Sequence, residues 1–380
     1  MVSPVWNSQP SSASKEVITE VLCKVLRGEA VAWPDAFQTE YYEAFLKWAA
    51  YHGVDVLVCH LLKSKADWSE LPEQIRKEFL ERLRTAGVVE MLRSRDLIQL
   101  NHSLQQAGIC LLLLKGGALA NTHYPEPHLR SRVDTDIFID LGDINSIREE
   151  FVSLDYELQG WIYKSHQFNC FRRDPGFEAV RYDVHWRSNN RSKYARVINY
   201  EEAKSEAIPI AELDGVLTLK PTFALLQACV HRAGSERHDP NRLIWLYDIH
   251  LLISAMPKSE LLEFAHRAVR ENVQAICCEA IDRTVACFAT SVADQVLEIL
   301  SAPSVTESAG HRYDNSPLAL IFDDLKQLPD MASRLDLLRE YLMPPGDYLL
   351  NRYHREGRLW IPVLYLRYFF GGLFERISLR

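Results

Sequence analysis

Four consecutive leucines, Leu111 to Leu114, run directly into Lys115-Gly116-Gly117-Ala118. A short apolar run closed by glycine reads as a buried strand turning into a helix, because glycine tolerates a tight turn and leaves the first helical N–H groups open to an anion. We place this strand over Ile109 to Leu114. Further on, Arg130-Ser131-Arg132-Val133-Asp134-Thr135-Asp136-Ile137-Phe138-Ile139-Asp140 alternates apolar and acidic positions. As a strand over Val133 to Asp140 it sends Val133, Thr135, Ile137 and Ile139 to one face and Asp134, Asp136 and Phe138 to the other. Two carboxylates that point the same way repel, and a divalent cation between them holds both ionised. A third stretch, Arg181-Tyr182-Asp183-Val184-His185-Trp186-Arg187, aligns Asp183, His185 and Arg187. With this strand beside the acidic one, three carboxylates meet near a glycine-rich phosphate cradle, which is the equipment of metal-assisted phosphoryl or nucleotidyl transfer.

The flanks are different in kind. Apolar residues at helical spacing predict helices over Ile18 to Leu26 (closed by Gly28), Glu40 to His52, Val54 to Lys63 and Pro72 to Gln106 (with Gly108 just beyond). Between residues 109 and 186 strands and helices mix, with a helix from Ile144 to Leu154 behind an Asp143 cap and then two or three strands through Gln167 to Arg172 and Val180 to Trp186; a further short strand is expected near Ala207 to Ile210. Beyond Pro221 helices return, over Pro221 to Arg232, Leu243 to Met256, Ser259 to Arg270 and Val273 to Phe288. The fold class is therefore α+β, a small mixed-sheet core flanked by N-terminal and C-terminal helical segments. The expected domains are 1–107, 108–215 and 216–380. Ala302 to Pro317, rich in Pro, Ser, Thr, Gly and Asn, reads as a linker. The apolar and aromatic stretch Leu359 to Phe374 packs on the domain or a subunit interface, or lies on a membrane surface.

A 380-residue chain with 47% apolar and 25% charged residues is neither disordered nor fibrous. Its net charge of −8 argues against a broad basic surface that coats nucleic acid, so recognition of an anion must be local. The eight cysteines lack a C-x-x-C pair, which predicts reduced, buried thiols and a cytoplasmic protein. The N-terminal residues show no basic region followed by an apolar core, and no run reaches membrane-spanning length.

The segment from Leu114 to Asp140 resembles the signature of the nucleotidyltransferase superfamily related to DNA polymerase β: a Gly-Gly or Gly-Ser helix start, an acidic pair on the next strand, and a later acidic residue. More narrowly, Leu114-Lys115-Gly116, Arg130 four residues before Asp134, and Asp183-Val184-His185-Trp186 are similar to an uncharacterised bacterial family labelled nucleotidyltransferase-like. The likeness extends to His231, Arg242, Trp245 and Asp248, covers about Leu111 to Ile253, and continues more loosely through Leu342 to Tyr353. The chain departs from the general pattern in a longer interval between Gly117 and Asp134, where Asn121 to Leu129 form an insertion with Tyr124, Pro125 and Pro127.

The resemblance implies an α+β nucleotidyltransferase core that uses an NTP and Mg²⁺ or Mn²⁺ to transfer a nucleoside monophosphate to a hydroxyl acceptor: a small molecule, a protein or an RNA. Asp134, Asp136 and Asp183 are then catalytic and metal-holding. Lys115, Gly116, Gly117, Arg130 and His185 bind nucleotide, and His231, Arg242 and Asp248 form a polar cluster at the cleft. His231, His238 and His250 with Asp248 also admit a metal-ligand reading, against which stands a helix pair with a polar inner edge. A metal-dependent phosphotransferase or kinase using the same carboxylates, and a non-catalytic nucleotide-binding protein, are the competing functions.

Overall fold

The computed structural model describes residues 12–31, 39–162, 166–173, 180–234 and 239–302, with shorter stretches between 322 and 368. His238, residues 303–317 of the linker and residues 369–374 of the C-terminal stretch lie outside the described residues. In chain order the elements are α1 (Ser12–Leu26), α2 (Thr39–His52), α3 (Asp55–Lys63), α4 (Glu73–Gln106), β1 (Leu112–Leu113), α5 (Lys115–Thr122), β2 (Thr135–Phe138), α6 (Ile144–Ser153), β3 (Glu157–Ile162), β4 (Gln167–Arg172), β5 (Val180–His185), α7 (Tyr200–Ser205), β6 (Ile208–Ile210), β7 (Val216–Thr218), α8 (Pro221–Gly234), α9 (Leu243–Ala255), α10 (Lys258–Arg270), α11 (Gln274–Phe288) and α12 (Asp294–Ser301). This is a mixed α+β fold, with helices on both sides of the strand-bearing segment. Among the described residues, no helix is long and apolar enough to cross a membrane.

The chain divides into two compact units. The first comprises Met1–Asn101, Leu112–Thr135 and Glu206–Tyr313. Its N-terminal helices fall where periodicity predicts, and Gly28 (φ +77°) closes α1 in the left-handed conformation that glycine adopts without steric cost. Here β1 pairs in parallel with β7, and β7 antiparallel with β6. The Thr218 hydroxyl donates to the Leu113 carbonyl at 2.8 Å. Strand β1 is shorter than its apolar run: Leu111 and Leu114 are buried but lie outside the ladder. Helices α8 to α11 wrap a core that includes Phe223, Leu226, Leu252, Phe264 and Ile281.

The second unit comprises His102–Leu111, Asp136–Ser205 and Asp314–Arg380. Its strands follow the order β3-β4-β5-β2, with β3, β4 and β5 antiparallel. Alternation sorts the two faces of β4 and β5. Phe168, Cys170, Tyr182 and Val184 are buried, while Gln167, Asn169 and Asp183 are half-buried on the other side. The apolar face packs under α6, where the Phe151 ring lies 5.6 Å from Tyr182 and 6.2 Å, edge-on, from Phe168. The acidic strand is shorter than its alternating pattern suggests. Only Thr135 to Phe138 join the ladder, all four are buried, and Val133 is 70% exposed in the preceding bend. Burial on both faces is the mark of an interior strand, and period-two sequence reasoning assumes one wet face. The other end is closed by Asp140, whose side chain accepts the Gly142 N–H at 2.6 Å, so the turn into α6 is held there and not by Asp143.

Of the C-terminal apolar stretch, Leu364 is buried whereas Leu359 (95%), Val363 (52%) and Leu366 (60%) are exposed.

Candidate active site

The alternation on β5 brings Asp183 and His185 to the same face, and β2 beside it supplies Asp136. Strand β5 is tied to the exit of β2 through the His185 carbonyl, which accepts the Ile139 N–H at 2.9 Å. One ligand atom from each of Asp136, Asp183 and His185 lies within 4.8 Å of the other two. Asp136 Oδ1 and His185 Nε2 are 2.8 Å apart, a hydrogen bond between two buried side chains. Two carboxylate oxygens and an imidazole nitrogen at this spacing suit a divalent cation that accepts both oxygen and nitrogen ligands. His185, expected on the nucleotide side, therefore stands among the candidate metal ligands. Asp134 lies in the bend two residues before Asp136, half-buried, and is not one of the three converging groups.

Two residues that sequence reasoning passed over stand on β4 directly opposite this cluster. The antiparallel register pairs Gln167 with His185 and Asn169 with Asp183. Gln167 Nε2 donates to Asn169 Oδ1 at 3.1 Å and approaches Asp183 Oδ2 at 3.4 Å. The signal was present as polar positions two apart in Gln167-Phe168-Asn169-Cys170, but amides carry no motif of their own and their partner strand is known only from the pairing.

In the first unit, α5 begins at Lys115, which adopts φ +49°. The left-handed turn thus falls on the lysine, whereas neither following glycine has positive φ. Their small size serves close approach instead. A Cβ on Gly116 would sit 3.1 Å from Arg130 Cζ, and one on Gly117 would sit 3.1 Å from Leu113 Cδ1 and 3.2 Å from Arg132 Nη1. Both arginines are pinned from their far sides. The buried Arg130 donates through Nε (2.8 Å) and Nη2 (2.6 Å) to Asp248, which also accepts from the Tyr124 hydroxyl at 2.8 Å. Arg132 Nη2 donates to Glu90 at 2.6 Å. Arg93 on α4 donates to the Arg132 carbonyl at 2.7 Å and reaches the Val133 carbonyl at 3.4 Å. These carbonyls are thereby diverted from the strand ladder, which accounts for the late start of β2.

Arg130 and Asp248, assigned to nucleotide and to cleft, are thus partners of one another. The insertion Asn121 to Leu129 is anchored to the same carboxylate through Tyr124, whose hydroxyl burial pushes well above its ordinary value, with the Asp248 charge adding to it. Arg242 and His231 flank a different group. Arg242 lies 5.4 Å over the Trp245 ring and donates to the Tyr51 carbonyl, and His231 meets Trp245 edge-on at 5.0 Å. Burial, and then the charge of Arg130, lower the pKa of Arg242. His250 hydrogen-bonds Thr290 Oγ1 at 2.8 Å and burial lowers its pKa, the behaviour of a core histidine.

Two carboxylates and an imidazole that converge from neighbouring strands of a mixed α+β chain are compatible with a metal site. The model of the family described as uncharacterised nucleotidyltransferase matches residues 39–289, more than half of the chain, and the chain belongs to that family. No curated protein matches it.

Proposed function

We propose that this protein transfers a nucleoside monophosphate from an NTP to a hydroxyl acceptor with the help of Mg²⁺ or Mn²⁺. The observation that supports this most directly is the convergence of Asp136, Asp183 and His185 within 4.8 Å, in a chain of a nucleotidyltransferase family. Asp136 and Asp183 with His185 would hold the metal, and Asp134, next but one in the chain, would add a carboxylate toward the nucleotide. When bound, the metal offsets the negative charge of the triphosphate. The imidazole widens the choice toward Mn²⁺, because Mg²⁺ prefers an all-oxygen shell.

Asp183 takes the proton of the attacking hydroxyl. That oxygen bonds the α-phosphorus, and the bond from phosphorus to the oxygen bridging α and β breaks. Pyrophosphate leaves with the electron pair. In the first unit, the residues suited to phosphate oxygens are Lys115 and the backbone N–H groups at Gly116 and Gly117. Arg130 acts here through position: its contact with Gly116 shapes the start of α5 while its charge is matched by Asp248.

The test is incubation of the purified protein with α-labelled and, separately, γ-labelled NTPs, Mg²⁺ or Mn²⁺, and cell extract. Retention of the α label in a product and release of labelled pyrophosphate are expected. Transfer of the γ label would instead establish a kinase, and metal-independent binding without turnover would leave a nucleotide-binding protein.

A further inference from the structure

The amide pair beside the carboxylates is not used by the transfer chemistry itself. Gln167 directs its Nε2 donors toward Asn169 Oδ1 and Asp183 Oδ2, which orients its Oε1 away from both. That oxygen is buried and has no hydrogen-bond partner among the described residues. A buried amide carbonyl without a protein donor is unfavourable, and it is able to accept an O–H or N–H from a bound molecule. Strand register sets its location: Gln167 is opposite His185 and Asn169 opposite Asp183, while on the outer side Asn169 is opposite Gln159 of β3. From Asp183 outward the row therefore runs carboxylate, amide, amide.

We propose that Gln167 and Asn169 form the acceptor subsite, and that the acceptor is an uncharged compound bearing two adjacent hydroxyls. This rests on the transfer reading above. One hydroxyl reacts: its oxygen bonds the α-phosphorus of the NTP, its proton goes to Asp183, and pyrophosphate departs with the electrons of the broken P–O bond. The neighbouring hydroxyl donates to Gln167 Oε1, and the Asn169 amide supplies a donor to its oxygen. A diol matches this arrangement because each of its hydroxyls both donates and accepts, as an amide pair requires. The row of Gln159, Asn169 and Asp183, two neutral amides and an anion, offers an uncharged diol its hydrogen bonds and gives the anion of a phosphodiester nothing to neutralise it within the row itself.

The experiment uses the full chain, the NTP that supports metal-dependent pyrophosphate release, and two matched probes, cis-1,2-cyclohexanediol and cyclohexanol. The wild type should use the diol with a kcat/KM about tenfold or more above that of the single alcohol, the scale of one well-made hydrogen bond and its unmet counterpart. Gln167→Met should bring the ratio close to one through a raised KM for the diol, whereas Gln167→Glu, which keeps an oxygen at the same reach, should retain a preference. Saturation-transfer NMR of the diol on the wild type and on Gln167→Met reads the subsite without turnover. Equal use of both alcohols by the wild type overturns the proposal, as does an unchanged ratio in Gln167→Met or better use of an oligoribonucleotide 3′ end than of the diol. If Gln167→Met does not fold, the wild-type ratio decides. If no NTP is turned over with any acceptor, the transfer reading fails, and diol binding by NMR still decides the subsite.

Discussion

Two carboxylate clusters, one in each compact unit, have opposite electrostatic designs. Asp248 is buried in the first unit and receives a two-point contact from Arg130 and the Tyr124 hydroxyl, so a full positive charge and a neutral donor answer one negative charge. In the second unit Asp136 and Asp183 converge with the His185 imidazole, each offering one ligand atom within 4.8 Å of the others. The first arrangement is complete within the protein and stiffens it. The second brings two carboxylates and an imidazole together at a spacing that suits a divalent cation.

The sharpest way to break this comparison is at Asp248. Asp248→Ala leaves Arg130, 7% exposed, without its counter-ion, and should lower unfolding stability by about 3–5 kcal/mol in urea titration. A loss below about 1 kcal/mol would remove the distinction between the two clusters.

A second effect belongs to the same unit and is set by pH. Burial holds the His52 imidazole down at about 4, with Asp239 opposing and Arg242 reinforcing the shift, and its Nδ1 accepts the Leu243 N–H. The folded value lies below the ordinary one near 6.5, so the unfolded chain takes up the proton first. Stability is therefore unaffected above about pH 6.5, falls as pH drops through the window, and is lower by about 3 kcal/mol once pH is below about 4. His52→Asn, with an oxygen to accept from Leu243, should lack this component in melts recorded between pH 7 and 4.5.

Asp183→Asn should behave in the opposite way to Asp248→Ala. Removing one of two neighbouring like charges should leave thermal stability in metal-free buffer unchanged or raised, while turnover falls by about 10²-fold or more. Added Mn²⁺ should raise the melting temperature of the wild type and not that of the variant. A variant that melts lower and retains the wild-type rate would make the acid cluster structural.

The smallest effect concerns Lys115. Its φ of +49° is strained for a residue with a Cβ, so Lys115→Gly should stabilise the fold by about 1 kcal/mol and at the same time weaken triphosphate more than monophosphate binding, measured by calorimetry. Equal weakening for both ligands would separate the strain from phosphate recognition.

The difference between what was legible and what was not follows the range of the interactions. Helices α1 to α4 and α8 to α11 were readable because a 3.6-residue period and a closing glycine are local properties. The strand pattern Asp183-x-His185 was readable for the same reason. The insertion after Gly117 could be seen as an extra stretch of chain, but its anchor, Tyr124 on Asp248, spans more than a hundred residues and has no local trace. Short elements such as β7, three residues between Gly215 and Pro221, carry too few positions for any period to show.

By itself the sequence determined that an acidic pair, a Lys-Gly-Gly helix start and a second acidic strand occur in the order of a nucleotidyltransferase, because residue type and alternation are properties of contiguous chain. Only the tertiary structure decided which side chains meet. Pairing of β2 with β5 selects Asp136, Asp183 and His185 as the converging set, and pairing of β5 with β4 brings Gln167 and Asn169 to them. The long-range contact of Arg130 with Asp248 turns a residue expected to face nucleotide into the partner of a buried carboxylate. The physical reason is that a hydrogen bond or ion pair forms between groups that burial forces together, and burial is set by the packing of distant segments.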